Sequence, residues 1–116
     1  MNNYQSGHFA EIAVLFYLFC KGYKKVALNY KPHNRLGAGE IDLIVKKGKI
    51  LVFVEVKKRT TFEKAAYSIT EKQQLRIRRG AEYFLQNNPC YSDCDLRFDA
   101  VLVKFPFSLI HIFDAF

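Results

Sequence analysis

Asp42, Glu55 and Lys57 form a D-x(12)-E-x-K spacing inside a stretch otherwise dominated by Ile, Leu, Val and Phe. Both limbs read as β-strands, and Lys47-Gly48-Lys49 reads as the tight turn between them. With Gly48 and Lys49 as a two-residue loop, Lys47 pairs with Ile50. Counting back along both limbs brings Asp42 directly opposite Glu55. Side chains alternate faces along a strand, so Lys57 shares the face of Glu55. Like charges facing each other destabilise a sheet. The pairing therefore calls for a cation between the carboxylates. Asp42 and Glu55 are hard oxygen ligands suited to Mg²⁺, with Mn²⁺ as a substitute, and the Val56 backbone carbonyl is a third ligand candidate. An ion held there would lower the pKa of a bound water and neutralise charge on a phosphate under attack. Lys57 would orient that water or stabilise the pentavalent transition state.

The elements that must position these groups belong to one domain, residues 1–116. The 116 residues are 50% hydrophobic, which excludes a disordered chain and allows a single core. Eighteen Lys and Arg against eleven Asp and Glu give a net charge of +7. That balance favours a polyanionic partner, nucleic acid or an anionic membrane surface. Cys20, Cys90 and Cys94 are an odd count, and the N-terminus lacks the basic region of a signal peptide, so a reducing cytoplasm is expected. Cys90 and Cys94 have no second pair to complete a zinc site and read as loop thiols. The longest apolar run, Phe9 to Cys20, is too short to span a bilayer and contains Glu11, so no membrane association is expected.

Ser6 is placed to cap a first helix running from about Gly7 to Lys21, with Gly22 as its stop. Glu11 is the only charged residue between Phe9 and Cys20, and apolar residues point in nearly every direction. A helix apolar all round is expected to be buried. Glu11 either caps the helix or bonds an arginine, or points into the site of Asp42 and Glu55. Lys25 to Tyr30 reads as a first strand, and Lys31 to Gly39 as a loop holding a solvated His33. The hairpin then places Ile41, Leu43, Val45, Val52, Val54 and Val56 on one face. Asp42, Ile44, Lys46, Leu51, Phe53, Glu55 and Lys57 share the other. Both faces are mainly apolar, which puts the hairpin in the middle of a sheet covered on both sides.

Lys58 and Arg59 open a basic exit that leads into a loop reaching Tyr67. Thr70 to Gln73 is a capping-box pattern for a second helix ending near Gln86. On it Lys72, Arg76 and Arg79 form one cationic stripe, opposite an apolar stripe of Ile77, Ala81 and Phe84. A basic stripe can be simply a solvated face, but with Glu82 as the only acid near at helical spacing this one is expected to contact phosphate, and Lys58 and Arg59 to extend it. Arg97 to Val103 and Leu109 to Phe113 read as two further strands, with His111 as an edge or core histidine. Phe105, Phe107, Phe113 and Phe116 offer apolar surface on which a homodimer could form.

These residues also carry a resemblance. Gly7-x-x-x-Glu11, Gly39-Glu40-Ile41-Asp42-Leu43-Ile44, Phe53-Val54-Glu55-Val56-Lys57-x-Arg59, Lys72, Arg97-Phe98-Asp99 and the ending Asp114-Ala115-Phe116 run almost the length of the chain. The chain resembles the PD-(D/E)xK nuclease-like superfamily and, within it, the YraN-type family of small bacterial proteins. One departure is Ala10, where that family usually has Gly before the helical Glu. Another is the longer approach Leu36-Gly37-Ala38 to Gly39. The resemblance implies an α/β three-layer sandwich with a central mixed sheet. Its restriction-endonuclease-like αβββαβ core would carry one added C-terminal strand. It places Asp42, Glu55 and Lys57 at active-site positions and Glu11 at a helical acid position. Likeness to Holliday-junction resolvases implies a structured DNA substrate. Two functions follow: a Mg²⁺-dependent endonuclease on DNA more than RNA, or a nuclease-like module that binds nucleic acid or protein without cutting.

Overall fold

Gly48 adopts a φ of +60° and closes the predicted hairpin, whose pairs run from Lys47↔Ile50 to Leu43↔Val54 in the expected register. In this computed structural model residues 3–32, 38–58, 69–104 and 108–116 are described, with side chains from His8 onward. The elements are α1 (Asn3–Cys20), β1 (Lys24–Tyr30), β2 (Ile41–Lys47), β3 (Ile50–Lys58), α2 (Glu71–Asn87), β4 (Asp95–Lys104) and β5 (Ser108–Ile112). A short 3₁₀ turn, Pro89–Tyr91, joins α2 to β4. His33, Arg59, Tyr67, Phe105 and Phe107 lie outside the described residues.

The strands form one mixed sheet in the order β1-β2-β3-β4-β5. Neighbours are antiparallel except β3 and β4, which run parallel. A parallel pair needs a crossover, and α2 lies within it. Helix α1 covers one face, where Ala10, Val14 and Leu18 pack on Leu43, Val45, Val52, Val54, Val101 and Val103. Helix α2 covers the other, where Ile77, Ala81 and Phe84 pack on Ile44, Leu51, Phe53 and Phe98. The result is the three-layer α/β sandwich. No helix among the described residues is long and apolar enough to cross a membrane.

Local chemistry explains most boundaries. The Thr70 hydroxyl accepts from Gln73 N–H at 3.1 Å, and the Gln73 side chain accepts from Thr70 N–H at 3.2 Å, closing the capping box. At the end of α1, Gly22 N–H donates to Phe19 and Tyr23 N–H to Leu18, both at 3.0 Å. With Gly22 at φ +94°, this is a Schellman ending. The start of α1 differs from expectation: the helix begins at Asn3, so Ser6 lies inside it and is not its cap. Its outer side differs too, because only one face of α1 meets the sheet. Phe9, Ile12, Phe16 and Phe19 are exposed. Ile41 also leaves its predicted face and joins the α2 cluster.

The reason for the Ile41 shift is the close docking of α2 on the approach to β2. Gly39 N–H donates to the Arg76 carbonyl at 2.9 Å. A methyl at Gly80 would stand 2.6 Å from the Gly39 carbonyl oxygen and 3.4 Å from the Ile41 side chain.

Buried polar groups fasten the last strand. Asp99 is fully buried and accepts from Arg97 at 2.8 and 2.9 Å, from Asp114 N–H at 2.9 Å, and bonds His111 Nε2 at 2.7 Å. Burial pushes the Asp99 carboxyl up, but these bonds outweigh it and hold it below its usual value. His111 takes the core place, one of the two its alternation with apolar neighbours allows, and there it anchors β5. Asp114 then turns at φ +51°, Ala115 N–H bonds the Phe98 carbonyl at 2.7 Å, and Phe116 packs on Phe98.

Gly80→Ala sets two effects against each other. Alanine favours a helix over glycine by about 1 kcal/mol. The clash with the Gly39 backbone oxygen forces a helix shift of the kind that costs about 1–3 kcal/mol. The clash should win, lowering the urea midpoint of unfolding. A midpoint raised above wild type would show that α2 does not dock this closely.

Candidate active site

The hairpin register ends at Leu43↔Val54, and the next residues outward are Asp42 and Glu55. Asp42 turns toward the neighbouring strand, where its Oδ2 accepts from Val56 N–H at 2.8 Å. In an extended strand a residue's N–H and C=O point to the same side. The Val56 carbonyl therefore faces the Asp42 side as well. Lys57 Nζ lies 3.4 Å from Glu55 Oε1, as residues two apart on one strand face should.

Glu11 reaches the same place from α1. It lines a cavity of about 420 Å³ together with His8, Asn29, Glu40, Asp42, Glu55, Val56 and Lys58. Of the two readings open for Glu11, the geometry matches the one that points it toward Asp42 and Glu55. His8 Nδ1 lies 3.7 Å from Glu11 Oε1. Lys57 is not in that lining and touches the site through Glu55.

A second cavity, about 170 Å³, shares Glu40 and Glu55 with the first and is lined by Gly39, Gln73, Arg76 and Ile77 as well. Glu55 is thus a wall shared by the acidic cavity and the α2 surface. Lys72, Arg76 and Arg79 are all exposed on α2, with Arg76 in that second lining. Lys58 lines the acidic cavity at the end of β3.

The electrostatics are unusual. Burial pushes the Glu11 carboxyl up to about 7, and the charge of Asp42 adds to the effect. Burial likewise pushes Glu55 up to about 7, helped by Asp42 and opposed by Lys57. Asp42 is raised by burial too, against the bond from Val56 N–H and the charge of Lys57. Three acids that would be charged in water thus compete for protons or cations.

Asn29 has no part in the sequence-based site, yet it is built into this one. With its amide turned so that donor faces acceptor, Asn29 Nδ2 donates to both Glu11 oxygens at 2.9 and 3.0 Å. It does so from a left-handed backbone, φ +52°, inside β1. Such a conformation is uncommon for a residue with a side chain and clusters at functional sites. The bond lowers the proton affinity of Glu11. In the sequence, the one signal for Asn29 is a polar residue interrupting Val26-Ala27-Leu28 and Tyr30.

The donors suit a hard cation. Among the described residues no three His, Cys, Asp or Glu side chains are placed to hold a metal ion by themselves. Mg²⁺ asks for less: it keeps several waters and binds through one or two carboxylates. Asp42, Glu55 and the Val56 carbonyl meet that requirement with oxygen alone.

Residues 10–103 match the model of the uncharacterised protein family UPF0102. A UPF0102 protein of Rhodopseudomonas palustris strain HaA2 is 41% identical over 115 residues, covering 97% of this chain and 87% of the relative. One of Bradyrhizobium sp. strain BTAi1 is 40% identical over 116 residues, covering 97% and 82%. One of Paramagnetospirillum magneticum strain AMB-1 is 42% identical over 97 residues, covering 84% and 75%.

The raised carboxyls set a pH dependence. A carboxyl whose pKa rises on folding holds its proton more tightly in the folded state. It stabilises the fold below its ordinary value of 4.5 and loses that contribution as pH rises through about 7. Without metal, the protein should lose about 2 kcal/mol of stability between about pH 5 and 8. Mg²⁺ should restore much of it at the high end, and Glu55→Gln should make the profile shallower while Glu11 and Asp42 keep part of the slope. Urea unfolding across this range reads it out, and a wild-type profile as shallow as the variant's would refute it.

Proposed function

This chain belongs to the UPF0102 family, and we propose that it is a Mg²⁺-dependent phosphodiesterase that hydrolyses DNA, with branched or damaged DNA among its substrates. One observation carries the reading: Glu11, Asp42 and Glu55 share a cavity in which all three carboxyls are pushed toward the protonated form. Burying three carboxyls together costs a scaffold stability, whereas a cation site uses them.

Asp42, Glu55 and the Val56 carbonyl are the groups that would hold the ion. When bound, the ion lowers the pKa of a water and draws charge from the scissile phosphate. The chain's own groups supply the rest. Val56 N–H fixes the Asp42 carboxylate against β3. Asn29 holds the Glu11 carboxylate, so that Glu11 can accept a hydrogen bond from the attacking water and orient it. Lys57, beside Glu55, places a positive charge where negative charge grows on the phosphate in the transition state. Hydrolysis forms one P–O bond to that water and breaks one P–O bond to a sugar oxygen; the water gives up a proton to a carboxylate or solvent, and the departing sugar oxygen takes one up from solvent to leave as the alcohol. Lys58, Arg59, Lys72, Arg76 and Arg79 would hold the phosphodiester backbone on either side.

The test is cleavage of linear, nicked and four-way DNA, with single-stranded RNA for comparison, in Mg²⁺ or Mn²⁺. Wild-type protein should cut, and Asp42→Ala or Lys57→Ala should lower the rate about a hundredfold or more. Wild-type turnover no higher than that of these variants would overturn the reading and leave a binding module. Separately, Arg76→Ala with Arg79→Ala should weaken DNA binding and lower the slope of log K against log salt by about 1 for each phosphate set free. An unchanged slope would remove α2 from the interface.

A further inference from the structure

We propose that the groove between α1 and the edge strand β1 docks an acidic peptide of a protein partner, which inserts large apolar side chains. The groove has a volume of about 300 Å³ and is lined by Ile12, Leu15, Phe16, Phe19 and Lys25. It begins at Ile12, the residue after Glu11, and follows α1 away from the carboxylates. It shares no lining residue with the acidic cavity, so the inference is independent of the nuclease reading.

Two features define the occupant. The first is the apolar lining. Phe16 and Phe19 are 69% and 68% exposed, and Ile12 46%. Large apolar groups gathered this way on a surface mark interaction sites. The lining has no hydroxyl, amide or carboxyl side chain. A nucleobase seated there would lose water from its edge donors and acceptors without replacement, which is costly. Leu, Phe or Trp side chains carry no such penalty.

The second feature is charge. From Ile12 to Gly39 the sequence contains no Asp or Glu. Lys25 lines the groove, and Lys21 and Lys24 are exposed close to it in the chain, just after the end of α1. Among the described residues none of these three lysines makes an ion pair. A second copy of this chain would bring the same lysines and another +7 to the interface, and like charges across an interface oppose pairing. An acidic segment matches the lysines while its apolar side chains fill the groove. Peptide recognition of this kind combines apolar anchors with flanking charge.

Selection from a phage-displayed random peptide library tests this, with wild-type protein as target and Phe16→Glu as counter-target. Enriched peptides should place Asp or Glu beside Phe, Leu or Trp. Their synthetic forms should bind wild type and lose affinity about tenfold or more against Phe16→Glu and against Lys25→Glu. Replacing the apolar anchors by Ser while keeping the acids should cost as much. Both protein variants alter exposed side chains and should melt as wild type does, which separates docking from folding. No enrichment over the counter-target overturns the proposal, as do enriched peptides without acids. Displacement of the peptides by a short oligothymidylate would make this a nucleic-acid surface instead. Concentration-dependent dimerisation abolished by Phe16→Glu would make it a self-interface.

Discussion

Three buried carboxyls, two on the strands and one reaching over from α1, are gathered at one end of a stiff sheet where burial makes each costly to charge, and most of the local architecture answers that constraint. The strands beneath them are among the most buried parts of the chain, with Leu43, Ile44, Val45, Val52 and Phe53 wholly enclosed. Close-packed interiors transmit strain and do not yield to it. The acids therefore cannot move apart by bending the hairpin. Relief comes from single interactions: Val56 N–H on Asp42, Lys57 on Glu55 and Asn29 on Glu11. Each comes from a different element or a different strand position, so residues far apart in sequence assemble the site.

The two halves of the site are joined by the smallest residues. Gly39 precedes the acidic strand, and Gly80 sits in the middle of α2, against it. Their closeness lets α2 present Arg76 beside Glu55. A larger residue at either position would lift the cationic helix from the acidic cavity. The spacing between negative and positive surfaces thus depends on two missing side chains.

Much of this is legible in the sequence, for identifiable reasons. The turn at Gly48 sets the strand register, and the register sets which side chains meet. The capping box at Thr70 marks a helix start within four residues. The apolar stripe of α2 names its buried side. The start of α1 is not legible, because Ser6 is a good cap that the helix runs past. The outer side of α1 misleads, because apolar residues all round predict burial only if something covers them. Asn29 escapes a reading of the sequence because its role depends on a left-handed backbone and a partner on another element. The Asp99 cluster is half visible: His111 can be placed in the core or at an edge, but its bond to Asp99 depends on side-chain positions across β4 and β5 that the alternation of apolar residues does not specify.

The sheet also joins a local pairing to a distant one. Antiparallel neighbours β2 and β3 follow each other through a two-residue turn, so they can pair on the timescale of a hairpin. The parallel pair is different, since Ile50 meets Asp95 on the far side of α2. Closing so long a loop is entropically costly, and it is the step that slows mixed sheets. Asp42 and Glu55 lie at the end of the local pairing, whereas β4 and α2 come from further along the chain. The acids thus meet through the most local pairing in the sheet, while the groups that cover it arrive from far along the chain.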